Sequence, residues 1–210
     1  MHNSFLSKSA LFVSFVMIIG ASASKPLFSS EAGQLNPYEV IEKTASKLQE
    51  KLSGKQEYYS KNTDKLYNLI DSTLLPNFDI EHSGKLVLGK SNWVSASTDQ
   101  RARFIDAFYT FLIKTYADAI LEFDQERMIV KAEPKFSKDR QKAQVTTELK
   151  MLNGNNIQVN YLLRYYRDAW KIYDVRIDGV SYVQNYRNQF DAEISALGLD
   201  AVIERLKKSS

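Results

Sequence analysis

The spacing of apolar residues changes period twice along this chain, from near 3.6 to 2 around Arg127 and back again after Gly179. In the first stretch, Val40, Ile41, Thr44, Ala45, Leu48 and Leu52 form one helical stripe. Asn36 stands ahead of it as N-cap, Pro37 at the first helical position and Ser53-Gly54 at its end. Leu66, Leu69, Ile70 and Leu74 predict a second helix over Thr63 to Leu75, which Pro76 stops by excluding helical geometry just before it. Ile80 and Leu86-Val87-Leu88 predict a shorter helix from Phe78 to Leu88 with Gly89 as its exit.

Ser97-Thr98-Asp99-Gln100 has the form of a capping box and opens the longest periodic segment, Thr98 to Phe123. Phe104, Ile105, Phe108, Phe111, Leu112, Thr115, Tyr116, Ala119 and Ile120 make a wide apolar face there. Tyr109 and Ile113 widen it further, so this helix has to be buried on more than one side.

From Arg127 the alternation is that of strands. Met128, Val130 and Ala132 predict a first strand ending at Pro134, and Ala143, Val145, Thr147, Leu149 and Met151 alternate with polar residues in a second. Asn153-Gly154 makes a connection, and Ile157, Val159, Tyr161, Leu163 and Tyr165 continue the alternation as far as the turn Arg167-Asp168-Ala169. In the last strand the apolar set moves from even positions (Trp170, Ile172) to odd ones (Tyr173, Val175, Ile177). A regular strand with one wet face cannot do this, so either a bulge re-aims it or both faces are covered.

Asp178-Gly179 then turns the chain into a closing helix carrying Val183, Tyr186, Phe190 and Ile194, with Ser181 and Gln184 as a second capping box. Gly198 breaks it, and Asp200 is expected to cap a last helix with Val202, Ile203 and Leu206. The architecture read from this order is α+β: N-terminal helices, a four-stranded antiparallel meander sheet and C-terminal helices packed on one of its faces.

Ala10 to Ile19 is apolar but too short to span a bilayer, follows Lys8 and precedes Ala21-Ser22-Ala23, so residues 1–23 read as a secretory signal peptide. Residues 24–35 lack any period and read as a loose terminus, leaving 36–210 as one domain. Beyond the signal, 27 basic side chains face 25 acidic ones with no run of five like charges, which argues against nucleic-acid binding. There are no cysteines, His82 is the only histidine past the signal, and no glycine-rich phosphate loop occurs, so thiolate metal sites and nucleotide motifs are excluded. A triad would rest on His82 alone, which reads instead as a solvated residue near a helix end. Asp174 and Asp178 lie at the strand-helix joint. One reading makes a pocket Asp a proton-transfer group, as in ketosteroid-isomerase-like α+β enzymes; the favoured one gives Asp178 to the turn and pairs Asp174 with Arg164 or Arg176.

Several short stretches, in order, resemble the MlaC family, also called the toluene-tolerance auxiliary family. They are Asn36-Pro37-Tyr38, Leu74-Leu75-Pro76, Leu86-Val87-Leu88-Gly89, Gln100-Arg101 with Phe104, Phe108, Leu112 and Tyr116, and the Trp170 strand with Asp174, Gly179-Val180-Ser181 and Phe190. The resemblance implies a non-enzymatic periplasmic carrier whose bound ligand is a phospholipid and which has no cofactor or metal. Its implied partners are an inner-membrane ABC transporter complex and an outer-membrane lipoprotein complex. Each buried CH₂ is worth about 0.8 kcal/mol, so a two-chain lipid has roughly 20 kcal/mol of hydrocarbon to shield from water.

On this reading the apolar faces become the walls of a lipid pocket. The helical side is expected from Leu88, Phe104, Phe108, Phe111 and Leu112, with Val180 and the helix after it closing the wall, and the sheet side from Val145, Leu149, Val159, Leu163 and Val175. Tyr109, Tyr116, Tyr161 and Tyr173 suit a pocket mouth, where a ring is buried and its hydroxyl stays wet.

Overall fold

The computed structural model describes residues 36–121, 127–130, 133–150 and 156–209. The residues read as signal and loose terminus, the Asn153-Gly154 connection, Met151 and Ala132 lie outside these. Among the described residues, seven α-helices, α1 (Pro37–Leu52), α2 (Gln56–Lys61), α3 (Thr63–Leu74), α4 (Ile80–Ser95), α5 (Thr98–Leu121), α6 (Tyr182–Leu197) and α7 (Leu199–Lys208), accompany one antiparallel sheet. Its strands are β1 (Arg127–Val130), β2 (Lys135–Phe136), β3 (Lys142–Lys150), β4 (Asn156–Tyr166), β5 (Ala169–Ile177) and β6 (Val180–Ser181), in the order β1-β3-β4-β5-β6, with β2 also on β3. The α+β class holds, but the sheet has six strands where four were expected. Short strands β1 and β2 flank Pro134, which has no N–H for a ladder, and β6 is added by the hairpin at Asp178-Gly179.

Local signals place most boundaries. The Glu39 amide donates to Asn36 Oδ1 at 2.9 Å, and Ser97 and Gln100 exchange both bonds of a capping box at 3.1 and 3.0 Å. The box at Ser181 is half formed: its hydroxyl accepts from the Gln184 amide at 3.0 Å, while the Gln184 side chain turns to Asn188. Gly198, not Asp200, occupies the N-cap of α7. Asp200 sits in the first turn and accepts from Arg103 and Gln100 of α5.

Two helices differ from the sequence reading. Polar α2 buries no residue and so left no apolar stripe to find. Helix α4 runs on past Gly89 to Ser95, kinking where Gly89 takes φ 73°, a conformation only glycine adopts cheaply. The Leu86 carbonyl beside the kink accepts from Arg187 Nε of α6 at 2.6 Å. Gly84 lets α4 lie against α5, since a Cβ there would stand 2.7 Å from Ile105 Cγ1.

The parity shift in β5 is a bulge. Leu162 pairs with Asp174 but Leu163 with Ile172, so Tyr173 is the extra residue. Its carbonyl accepts from the Ser83 hydroxyl of α4 at 2.8 Å, and the neighbouring Ile172 carbonyl accepts from the Asp79 amide at 2.8 Å. Asp79, 6% exposed, caps α4 through the His82 amide and pairs with Arg164 of β4. Helix α4 is thereby fastened to the sheet at the bulge.

Apolar packing divides into two clusters. One joins α1, α3 and the end of α5 to the sheet through Ile41, Leu48, Leu66, Val145, Tyr161 and Leu163. The other joins α4, α5, α6 and α7 through Leu88, Phe104, Phe108, Phe190 and Ile203. Helix α5 belongs to both, as its wide apolar face demanded.

Gly84→Ala should destabilise the fold by about 1–3 kcal/mol despite the better helix propensity of alanine, because Ile105 has to give way; the urea midpoint measures it. Asp79→Ala removes a cap and strands Arg164 at one stroke, and should cost about 3 kcal/mol in the same titration, more than an exposed-pair control such as Glu57→Ala.

Candidate functional site

Between the two clusters lies a cavity of about 120 Å³. Its walls come from α3 (Ile70, Leu74), Phe78, α4 (Ile80, Ser83, Val87), α5 (Ile105, Phe108, Tyr109, Leu112, Ile113, Tyr116, Ile120), β5 (Tyr173, Asp174, Val175) and α6 (Tyr182, Val183, Tyr186). Helix α5 supplies the largest share. The bulge supplies Tyr173, and Tyr182 and Tyr186 stand one turn apart on α6.

The polar content of this wall is chiefly phenolic. Tyr116 and Tyr186 share a hydrogen bond at 3.0 Å, and Tyr116 also bonds Tyr182, so hydroxyls of α5 and α6 meet inside the cavity wall. Burial raises the pKa of Tyr109, Tyr116, Tyr182 and Tyr186, with Asp71 adding to the effect at Tyr109 and Tyr186 at Tyr116. Burial, then Asp174, raises Tyr173 as well. All five phenols therefore remain neutral donors and acceptors at physiological pH.

Asp174 is the single charged side chain among the described lining residues, 7% exposed. It accepts from the Ser181 hydroxyl at 2.7 Å and the Val183 amide at 3.1 Å, with Arg176 Nε at 3.6 Å. Those partners make it a link between β5 and the start of α6. Asp178 lies in the turn at φ 46° and accepts from the Gln158 amide at 3.1 Å. His82 is half-buried, edge-on to Tyr173 at 5.3 Å; burial, then Arg164, lowers its pKa, so the imidazole is neutral near pH 7.

Of the residues singled out from sequence, the cavity gathers Phe108, Tyr109, Leu112, Tyr116, Tyr173 and Val175. Val145, Val159, Tyr161 and Leu163 are buried in the sheet-side cluster, with Tyr161 bonded to Thr147. Leu88, Phe104 and Phe111 pack in the helical cluster. Val180 is 57% exposed, because the β5–β6 hairpin turns it outward. Leu149 pairs through its backbone with Met128 and Ile157, and its side chain lies outside the described residues.

Sequence reasoning missed the walls given by α3 and α4; it expected the helix after Val180 to close the pocket, and α6 does line the cavity, through Tyr182, Val183 and Tyr186, which it had not named as lining. Tyr182, Tyr186 and Phe190 do recur at i, i+4 and i+8, a signal that marks one face but not what it faces. The isoleucines at 105, 113 and 120 were legible as part of the broad face of α5.

Comparison with known proteins gives these surfaces a family. The sequence pattern of the family described as MlaC protein matches residues 42–208. The chain is similar to the intermembrane phospholipid transport system binding protein MlaC of Haemophilus influenzae, 23% identical over 184 residues that cover 84% of this chain and 83% of that one. It is also similar to toluene tolerance protein ttg2D of Pseudomonas putida, 26% identical over 164 residues, covering 78% and 75%. A phospholipid-binding protein from Ralstonia solanacearum, solved in complex with a phospholipid, shares the fold with a TM-score of 0.75 at 22% identity, covering 83% of this chain and 97% of that one. With the match extending from the first helix to the last, the chain belongs to the MlaC family.

Proposed function

We propose that this protein is a periplasmic phospholipid carrier that holds acyl chains between its two apolar clusters and moves lipid between inner-membrane and outer-membrane complexes of an intermembrane transport system. The observation that carries the reading is the cavity itself, an apolar seam between α5, α6 and the bulged strand with one charged residue, already engaged, in its described wall. Family membership supports it, as do the phospholipid transport and phospholipid binding for which its relatives are named.

The size of the cavity adds a constraint. An apolar cavity of roughly 150 Å³ takes one benzene molecule, so 120 Å³ accommodates only a small part of a lipid tail. Loading therefore has to separate the clusters. The seam is where this costs least, because its walls already lack part of each other's packing, whereas Leu163 or Leu48 could not be parted from its neighbours without opening a close-packed core. The reaction makes and breaks no bond: hydrocarbon leaves a bilayer interior for a protein interior, and the phenols supply neutral hydrogen-bonding groups to the ester region.

Organic extraction of the natively purified protein, followed by mass spectrometry, should yield phospholipid at close to one molecule per chain. Protein that is empty as purified and stays empty after incubation with vesicles would overturn the reading. Leu112→Asp places a carboxylate in the cavity wall at a partly exposed position. It should cut the bound lipid at least tenfold with a loss of stability below about 2 kcal/mol, as read by extraction alongside a urea titration.

A further inference from the structure

Charge is unevenly spread over this molecule. The hairpin from β2 to β3 carries Lys135, Lys138, Arg140 and Lys142 against Asp139, and the hairpin from β4 to β5 carries Arg164, Arg167 and Lys171 against Asp168. Together they hold five more positive charges than negative ones. The whole sequence has a net charge of +3, so everything outside these two hairpins sums to −2. Asp79 engages Arg164, which still leaves a strongly basic tip.

The two hairpins form one surface. Lys142 and Arg164 are register partners, and the Tyr165 amide donates to the Gln141 carbonyl at 2.9 Å. Trp170 lies 5.8 Å from Phe136 and 5.5 Å from Tyr165, so partly exposed rings bridge the turns. The cations sit on rings: Arg140 lies 4.3 Å over Phe136, and Arg164 and Arg167 lie 4.3 and 5.0 Å from the Tyr166 centroid. The Arg167-Asp168 turn has both residues at positive φ, 48° and 59°, the tight geometry that brings the strand ends to a point. The tip also abuts the cavity, since Arg164 holds Asp79 between the lining residues Phe78 and Ile80, and Lys171 donates to the Pro76 carbonyl.

From this arrangement we propose that the basic, aromatic tip of the sheet docks on the anionic headgroup surface of a lipid bilayer. Lysine and arginine beside tryptophan and tyrosine is the pairing that sits at a membrane–water interface, the rings at headgroup depth and the cations on anionic lipid. Among the described residues no helix is long and apolar enough to cross a membrane, so the contact is peripheral. The proposal concerns docking and holds whether or not the cavity carries lipid.

Flotation of the purified protein with vesicles tests it. Vesicles of phosphatidylcholine with about one third phosphatidylglycerol should carry the protein up, phosphatidylcholine alone should not, and raising salt from about 0.05 to 0.5 M should release it. The exposed triple reversal Lys138→Glu, Arg140→Glu, Arg167→Glu should lower the bound fraction by about tenfold or more. Should that variant melt early, Lys135→Glu with Lys138→Glu asks the same question at two exposed lysines. Lipid content after extraction should be unchanged in either variant, which separates this outcome from any failure of the carrier reading. Equal flotation on both vesicle types, or undiminished flotation of a folded reversal variant, would overturn the proposal. Normal flotation with lost lipid delivery to a membrane-embedded protein partner would assign the tip to that protein and overturn it as well.

Discussion

A helix whose apolar face is this wide cannot be satisfied by one neighbouring layer, and the arrangement of this protein follows from how α5 is covered. Tyr116, Ala117 and Ile120 are buried near its end, Ala117 and Ile120 with the sheet, α1 and α3. Phe104, Ala107 and Phe108 turn to α4, α6 and α7. Two layers approaching one cylinder from different directions leave a wedge where neither reaches. That wedge is the cavity, and its lining is drawn from the flanks of α5, where Tyr109, Leu112 and Ile113 are only partly buried. Leaving these flanks unpacked forfeits dispersion contacts that a close-packed core would have made.

The other wall depends on one extra residue. Without the bulge at Tyr173, Ile172 and Val175, three positions apart, could not both face the sheet-side core opposite Leu163 and Tyr161. The bulge turns Tyr173 into the cavity, offers its carbonyl to Ser83 and brings Asp174 to the start of α6, where Ser181 and the Val183 amide hold it. A carboxylate accepting from a helix's first amides also complements the positive end of that helix. The carboxylate that one reading of the sequence made a proton-transfer group bonds the start of α6 to the sheet.

What could be read from the sequence was what depends on neighbours along the chain. The Asn36 cap, the Ser97–Gln100 box, the alternation of β3 and β4 and the parity shift in β5 each declare themselves within a few residues. The misplaced features depend on contacts far away. Gly89 looks like an exit in isolation, but the helix resumes beyond it and Arg187, 101 residues from Leu86, satisfies the freed carbonyl. Val145, Val159 and Leu163 have the pattern of a wall, yet periodicity says only that a face is covered. Which faces meet closely and which leave a gap is decided by the crossing of α3, α4 and α6 over α5, and no spacing within one element encodes that.

The gap is also small for a reason. A pocket wide enough for two acyl chains would, when unloaded, expose apolar wall to water at about 25 cal/mol per Å², and several hundred Å² of such wall would cancel much of a domain's marginal stability. A chain of this size cannot sustain that penalty. Closing the two clusters onto each other buries the same wall against itself, leaving the 120 Å³ that α5 cannot fill. On the carrier function proposed above, lipid would enter by replacing protein–protein apolar contact with protein–lipid contact, an exchange close to neutral per unit area. Its driving force is the hydrocarbon removed from water, and it is nearly absent when that hydrocarbon comes from a bilayer. On that proposal, a site built this way would both accept and surrender its ligand at membranes, which an open, rigid and better-fitting pocket could not do.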